Sequence, residues 1–303
     1  MTRYRGLPRR GLVTGGLAAA LSTVGLLPRS TATDTAGRTG AVRDDIPPAR
    51  HASRPLPGTR PFVPLFPHRG LVTNEYAYRH PGAADARTSR DWTVTSGSLL
   101  SRWGCGWSGV PDGDTPDPAS RLHTGSAVLR AVSGRRDFGD VTLLGRFLLR
   151  PPGETPRTPA TAWDGGHLWL RYRSAQELYA LSFCRRDGTV ALKRKAPPAG
   201  AAAGTEGLYT TLAQARAPLR HDTWHQVVAQ AVTTAAGNVL LRLQVDGRTV
   251  VQAEDTAPGA LSGPGGVGVR GDNTELYFHG FAAVPSPVGQ VLPPASVVDR
   301  SEQ

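Results

Sequence analysis

The chain has 303 residues, with 35 Lys+Arg against 24 Asp+Glu, a formal charge of +11, 39% hydrophobic residues and 19% charged residues. That balance excludes both a disordered polyelectrolyte and a bundle of membrane helices. Gly (36) and Pro (26) are abundant but follow no three-residue period, which excludes collagen and fits a loop-rich β protein with unstructured flanks.

Residues 1–32 carry the pattern of an export signal. Arg3, Arg5, Arg9 and Arg10 precede an uncharged run from Gly11 to Leu27, and Pro28 ends it. Ser30-Thr31-Ala32 then supplies the small-x-small pattern that a signal peptidase requires. The run is short and rich in Gly, Ser and Thr beside the ~20 apolar residues of a transmembrane helix, so no stable membrane anchor is expected after the signal is removed. Arg9-Arg10 with Gly11-Leu12-Val13 resembles the twin-arginine export motif, although Pro8 stands where Ser or Thr is usual. A secreted, extracytoplasmic protein is the expectation. Loss of residues 1–32 removes five arginines and no acid, so the formal charge falls from +11 to +6.

Residues 33–70 hold Pro47, Pro48, Pro55, Pro57, Pro61, Pro64 and Pro67 and show no apolar periodicity. Such a stretch buries too little surface to offset its ordering entropy, and it is predicted to be an extended linker. Residues 285–303 form a Pro/Ser/Val tail of the same kind. The stretch 71–284 is therefore the folded domain, and its basic and acidic residues nearly balance.

Within that domain, short apolar or alternating runs recur between Gly, Pro, Asn and Asp. Strands are predicted over Trp92–Val94, Leu99–Trp103, Ser126–Val132, Val141–Leu149, His167–Arg173 and Leu178–Cys184. Further strands are predicted over Val190–Lys195, Trp224–Thr233, Val239–Val245, Thr249–Asp255, Gly266–Arg270 and Leu276–Val284. About a dozen such strands without a helix-length pattern argue for an all-β antiparallel sandwich. Asp187-Gly188 and Asp246-Gly247 are strong turn signals between strands.

Three segments carry a resemblance to a known superfamily: Trp92–Ser101, Gly237–Val250 with its Asp246-Gly247 turn, and Gly266–Val284. Together they resemble the concanavalin A-like lectin/glucanase superfamily, which includes laminin-G-like and keto-disaccharide hydrolase-like domains. The resemblance implies a concanavalin A-like jelly roll. Its motifs are structural, and the activity has to be argued from a site.

The densest chemical cluster is Trp163–Lys195. Strand alternation places Leu168, Leu170 and Tyr172 on one face of the first strand and His167, Trp169, Arg171 and Arg173 on the other. It places Tyr179, Leu181 and Phe183 opposite Ala180, Ser182, Cys184 and Arg186, and Val190 and Leu192 opposite Ala191, Lys193 and Lys195. The polar face thus gathers His167, Trp169, Arg171, Arg173, Arg186, Lys193 and Lys195. In the resembling superfamily the concave face of one sheet holds the saccharide, where an indole stacks on a sugar and Arg grips hydroxyls or a carboxylate. The alternative is a solvated outer face.

Trp103 and Trp107 flank Gly104-Cys105-Gly106 and are read either as an aromatic rim to the groove or as a cap on the core. Asp112, Asp114 and Asp117 follow in a Pro-broken loop that suits calcium ligation, with a solvated loop as the alternative. Asp272-Asn273 is a second, weaker calcium candidate, and no other cofactor is expected. Cys105 and Cys184 are the only cysteines. Export favours a disulfide between them, with a free buried Cys184 as the alternative.

No phosphate-binding loop, dinucleotide fingerprint, zinc-protease motif or nucleophile elbow is present, and the charge distribution gives no case for nucleic acid. The leading expectation is an exported monomeric carbohydrate-binding module that recognises a polysaccharide or cell-wall glycan. Two alternatives stay open. One is an enzyme on saccharides: a lyase with His167 or Tyr179 as base, or a glycosidase drawing on Asp164, Glu177 or Asp187. The other is a laminin-G-like adhesion module without catalysis.

Overall fold

Edge strands and turn chemistry account for most of the difference between the predicted and observed elements. The structure, a computed structural model, describes residues 60–113, 128–202 and 204–286. The predicted signal, most of the predicted linker and nearly all of the predicted tail lie outside these residues. In chain order the elements begin with β1 (Arg69–Asn74), α1 (Glu75–Arg79), β2 (Trp92–Ser96), β3 (Ser98–Arg102) and β4 (Cys105–Trp107). Then come β5 (Val128–Ser133), β6 (Val141–Leu149), β7 (Gly165–Ser174), β8 (Glu177–Phe183), β9 (Thr189–Ala196) and β10 (Leu208–Arg216). The last five are β11 (His225–Thr233), β12 (Val239–Val245), β13 (Arg248–Asp255), β14 (Gly266–Asp272) and β15 (Leu276–Pro285). No helix among the described residues is long and apolar enough to cross a membrane.

The strands form a jelly-roll sandwich of two antiparallel sheets. One has eight strands in the order β1-β3-β4-β15-β6-β11-β12-β13, and the other has seven in the order β10-β9-β8-β7-β14-β5-β2. The twelve predicted strands are present. The three that the pattern missed are β1, β4 and β10. β1 and β10 are sheet edges, where pairing on one side relaxes the demand for alternation, and β10 also carries a register shift between Thr211 and Ala213. β4 has three residues, too few to show a period.

The core lies between the sheets. Leu143, Phe147, Leu168, Leu170, Leu181, Phe183, Leu241, Leu243, Val269 and Phe278 are buried in it, each apolar side chain contributing about 1.5–3 kcal/mol. At one end Trp92 packs edge-on against Phe62, Phe278 and Phe281, with ring centroids 5.6, 6.0 and 5.1 Å apart. Gly106 passes this cluster so closely that a Cβ would stand 2.4 Å from the Phe278 ring. Phe62 falls inside the stretch predicted as a linker. It exchanges both backbone hydrogen bonds with Ala283 and is 6% exposed, so the folded unit takes in the end of the Pro-rich segment.

Two polar networks join the sheets. The Tyr179 hydroxyl on β8 donates to Asp255 Oδ2 on β13 (2.7 Å) and accepts from the Leu261 amide (2.9 Å). Arg194 on β9 donates to both oxygens of Asp255, at 2.7 and 2.9 Å. Burial and the Asp255 bond raise the Tyr179 pKa. The second network centres on Arg171.

The two predicted turns differ in kind. Asp246 and Gly247 both have positive φ, 49° and 78°, as a two-residue type I′ hairpin requires. At Asp187-Gly188 only Gly188 is positive (φ 68°), and its amide bonds to Arg185 O, which makes a longer loop.

Candidate functional site

The expected alternation holds through most of β7, β8 and β9. Leu168, Leu170, Tyr179, Leu181, Phe183, Val190 and Leu192 all face the core. Two residues displace it by one position each. Arg171 and Cys184 are non-glycine residues at φ 48°, a left-handed conformation that costs roughly 1–2 kcal/mol and accompanies a bulge. At Arg171 the register shifts against both neighbours, between Leu170 and Ser174 toward β8 and between Gly266 and Gly268 toward β14.

The first displacement moves Arg171 out of the expected groove and into the sandwich. Its side chain is fully buried. Nε donates to Gly139 O (3.3 Å), Nη1 to Leu261 O (2.8 Å), and Nη2 to Asp140 Oδ1 (2.9 Å) and Thr233 Oγ1 (2.8 Å). Arg171 therefore ties β7 to β11 and does not meet a ligand. Tyr172 takes its place on the outer face and stacks on Trp169, with centroids 5.4 Å apart and planes at 21°. Arg173 leaves the face too: it pairs with Glu177 at 3.9 Å and lies against Gly263.

The second displacement carries Cys184 into the core cluster and brings Arg185 onto the outer face in place of Arg186. Gly165 allows this bend, since a Cβ there would meet Cys184 O at 2.5 Å. Arg186 is instead a loop staple, its Nε 3.1 Å from Asp164 Oδ2 and its Nη2 2.6 Å from Gly153 O.

The outer side of the seven-stranded sheet consequently carries His167, Trp169 and Tyr172 from β7 and Ser182 from β8, with Arg185 just beyond, all of them buried. Lys193 and Lys195 come from β9, Tyr209 from β10 and Arg270 from β14. His167 is paired across the sheet with Ser182 on one side and Arg270 on the other. His167 Nδ1 lies 2.8 Å from Ser182 Oγ, and Nε2 lies 3.1 Å from Asp272 Oδ2. Arg270 Nε donates to both Asp272 oxygens, at 2.8 and 2.9 Å. Burial lowers the His167 pKa against the pull of Asp272, so the ring is neutral at pH 7. Burial works to raise Asp272, but the charge of Arg270 and the contact with His167 outweigh it and hold the carboxyl well below the usual range.

Cations crowd the rest of the face. Arg185 is 7% exposed. Its Nη2 donates to Asp187 Oδ2 at 2.6 Å, while Nε and Nη1 have no hydrogen-bond partner among the described residues. Trp169 Nε1, also buried, is in the same position. The Lys193 pKa is lowered by burial first and then by Arg185 and Arg270, with Asp187 opposing. The ammonium groups of Lys193 and Lys195 stand 5.9 and 5.4 Å from the Tyr209 ring centroid. Of the residues expected in a groove, the structure brings together His167, Trp169, Lys193 and Lys195. Arg185, Ser182, Tyr209 and Arg270 complete the group. Arg270 and Asp272 were legible as opposite charges two apart on one strand face. Arg185 was hidden by the bulge.

Trp103 and Trp107 lie on the other sheet, so they form no rim to this face. Cys105 and Trp107 point away from the core, because the intervening Gly106 faces Phe278. That orientation also separates the cysteines: Cys184 is in the core, Cys105 is outside the eight-stranded sheet, and both are free thiols. The expected disulfide is absent for this reason. Burial raises both thiol pKa values, Cys184 to about 12.

The calcium candidates fare differently. Asp114 and Asp117 lie outside the described residues. Asp112 lines a cavity of about 210 Å³ with Gly113, Glu154, Thr158 and Asn273. Among the described residues no group of three or more His, Cys, Asp or Glu side chains is placed to hold a metal. Asp272 does not fit a calcium ligand, since both oxygens face the Arg270 guanidinium. The enzyme alternatives lose several candidates. Tyr179 is locked between the sheets, Asp164 is buried against Arg186 and Asn273, and Glu177 and Asp187 are paired with Arg173 and Arg185.

No protein-family model matches the chain, and no curated protein matches it in sequence. Solved structures superpose on it weakly. The carbohydrate-binding module CBM66 of Bacillus subtilis shares 13% identity over 64% of this chain and 95% of its own, with a TM-score of 0.44. The potassium-bound carbohydrate recognition domain of Emp46p shares 10% over 74% and 97%, at 0.45. A legume lectin-like domain from Entamoeba histolytica shares 8% over 65% and 91%, at 0.43. At these identities and scores they assign no ligand to this chain.

Proposed function

We propose that this protein is an exported carbohydrate-binding module that takes an acidic polysaccharide on the outer face of the seven-stranded sheet. The export part rests on residues 1–32. The observation that carries the binding part is Arg185, a nearly buried guanidinium with two nitrogens unpartnered among the described residues, beside Lys193 and Arg270. Like charges gathered in a poorly hydrated place destabilise one another, and a carboxylate or sulfate relieves both the repulsion and the unmet donors. A uronate carboxylate pairs with Arg185 and with Lys193 as a second cation, and the exposed Tyr209 edge is available to a hydroxyl. The lysines over Tyr209 extend the charged surface toward the sheet edge, so a chain of several sugars is served better than a single one.

Affinity electrophoresis of the mature protein tests this, with polygalacturonate, alginate and hyaluronan beside neutral glucans. Retardation by at least one acidic glycan is expected, and it weakens with added salt. Arg185→Leu reduces it by about 10–100-fold, the equivalent of one charge-assisted hydrogen bond of about 1.5–3 kcal/mol. No retardation on any acidic glycan at low salt, or an unaffected Arg185→Leu, overturns the proposal. Ultraviolet absorbance from unsaturated uronates in the same mixtures would make the protein a lyase instead.

A further inference from the structure

The β3–β4 hairpin turns through Trp103 and Gly104, both at positive φ, 54° and 74°. This is a type I′ turn, which selects Asn, Asp or Gly at its first position. A tryptophan there is conformationally costly, and the residue is 62% exposed, so core packing does not explain it. The indole is held in a fixed orientation all the same. The Arg102 guanidinium stands 4.1 Å from its ring centroid, and Tyr277 lies 6.2 Å away with planes at 16°. Trp107 lies 5.8 Å beyond Tyr277 at 15°, so three nearly parallel rings make one shelf.

Polar groups at the ring edges keep the shelf rigid. Trp107 Nε1 and the Tyr277 hydroxyl both donate to Glu275 Oε1, at 2.9 and 2.5 Å. Arg102 Nη1 donates to the Tyr277 oxygen at 3.2 Å. The Arg102 guanidinium also lies over the Trp107 ring, 5.2 Å from its centroid, while Trp103 stays largely exposed. Arg102 and Arg150 are balanced by Glu275 and by Asp222, which pairs with Arg150 at 2.7 Å, in contrast to the basic face on the other sheet. Leu100 is cross-strand partner to Trp107, which is in turn partner to Tyr277, and this extends the apolar row across strands ~4.8 Å apart.

We propose that the Trp103–Tyr277–Trp107 shelf is a second binding site, for the flat face of a neutral β-linked polysaccharide. A pyranose ring presents axial C–H groups to an indole much as another ring would, and the Arg102 guanidinium over the indoles and the Glu275 carboxylate at their edge suit its hydroxyls. One exposed indole over two covered rings falls far short of the ~20–30 residues a side in a stable protein interface. This site is independent of Arg185, on the opposite sheet, so the module can engage two chains at once.

Retention of the mature protein on insoluble chitin and on cellulose tests the site. Binding to at least one is expected, with a loss of about tenfold in Trp103→Asn and partial retention in Trp103→Phe. Trp103→Asn suits the turn better than the native residue, so its thermal midpoint should not fall, and any lost binding is then not lost folding. Arg185→Leu should leave neutral-glycan retention unchanged, which keeps the failure of one site distinct from failure of the other. No wild-type retention, or retention indifferent to Trp103→Asn, overturns the proposal. So does a dimer in light scattering that Trp103→Asn dissociates, which would make the shelf a contact between copies.

Discussion

His167 Nδ1 lies 2.8 Å from Ser182 Oγ on the residue directly paired with it across β7 and β8. This bond suits an imidazole that stays neutral: Nδ1 accepts from the hydroxyl, and Nε2–H points toward Asp272. The tautomer follows from these partners. Arg185 and Arg270 face the same ring and disfavour its protonation.

A pH dependence follows. The folded-state pKa of His167 is lowered by burial, so the unfolded chain takes up a proton more readily as pH drops below the ordinary histidine value of ~6.5. Stability is therefore full above that pH and is lost below it, while Asp272 stays ionised. His221 is lowered in the same direction, by burial first. Thermal unfolding between pH 7.5 and 5 should show the decline, and His167→Gln should make it shallower than in the wild type. Equal slopes in the two proteins would assign the dependence to His221 or elsewhere.

Arg171 is structural, and its removal should show in stability. Arg171→Ala leaves the Gly139 and Leu261 carbonyls without their guanidinium donor and the Asp140 carboxylate without its counter-charge, held among the described residues only by the Thr233 amide, at a cost of about 3–5 kcal/mol, or a fall of roughly 10 °C or more in Tm. Calorimetry measures this directly. At a temperature where the variant is still folded, its glycan affinity should match the wild type.

Arg185 and Arg186 are adjacent, and only one faces the ligand surface. Arg186→Ala loosens the loop held by Asp164 and Gly153 but should change acidic-glycan affinity less than twofold, about 0.4 kcal/mol. A loss as large as that of Arg185→Leu would put Arg186 on the ligand surface as well. Titration calorimetry on both variants decides it.

The two thiols should behave as separate buried groups. Iodoacetamide should modify neither rapidly in the native protein, because burial raises both pKa values and the thiolate is the reactive form. After denaturation without reductant, mass spectrometry should find two adducts. Reductant should leave the thermal midpoint unchanged. A single species with no free thiol would reinstate the disulfide.

Much of the architecture follows from local pattern. The alternation of apolar residues in β6, β8, β9 and β12, with the Asp246-Gly247 turn, determines an antiparallel sandwich, because a strand with a period of two has to bury one face. The same pattern located the cluster of His167, Trp169, Lys193 and Lys195. What it could not contain is the phase of that pattern after a bulge. Nothing local in Arg171 or Cys184 announces a φ of 48°. For Arg171, that conformation is sustained by acceptors at residues 139, 140, 233 and 261, distant in the chain and brought together only by the packed sheets. One displaced residue sends every following side chain to the other face. In this way the tertiary structure put Arg171 into the core and Arg185 onto the basic face, while the pairing of β3 with β4 put Trp103 and Trp107 on the opposite sheet. The net charge of +11 was a property of the composition alone. Its concentration at Arg185, Lys193 and Arg270 was decided by how three strands and two bulges align.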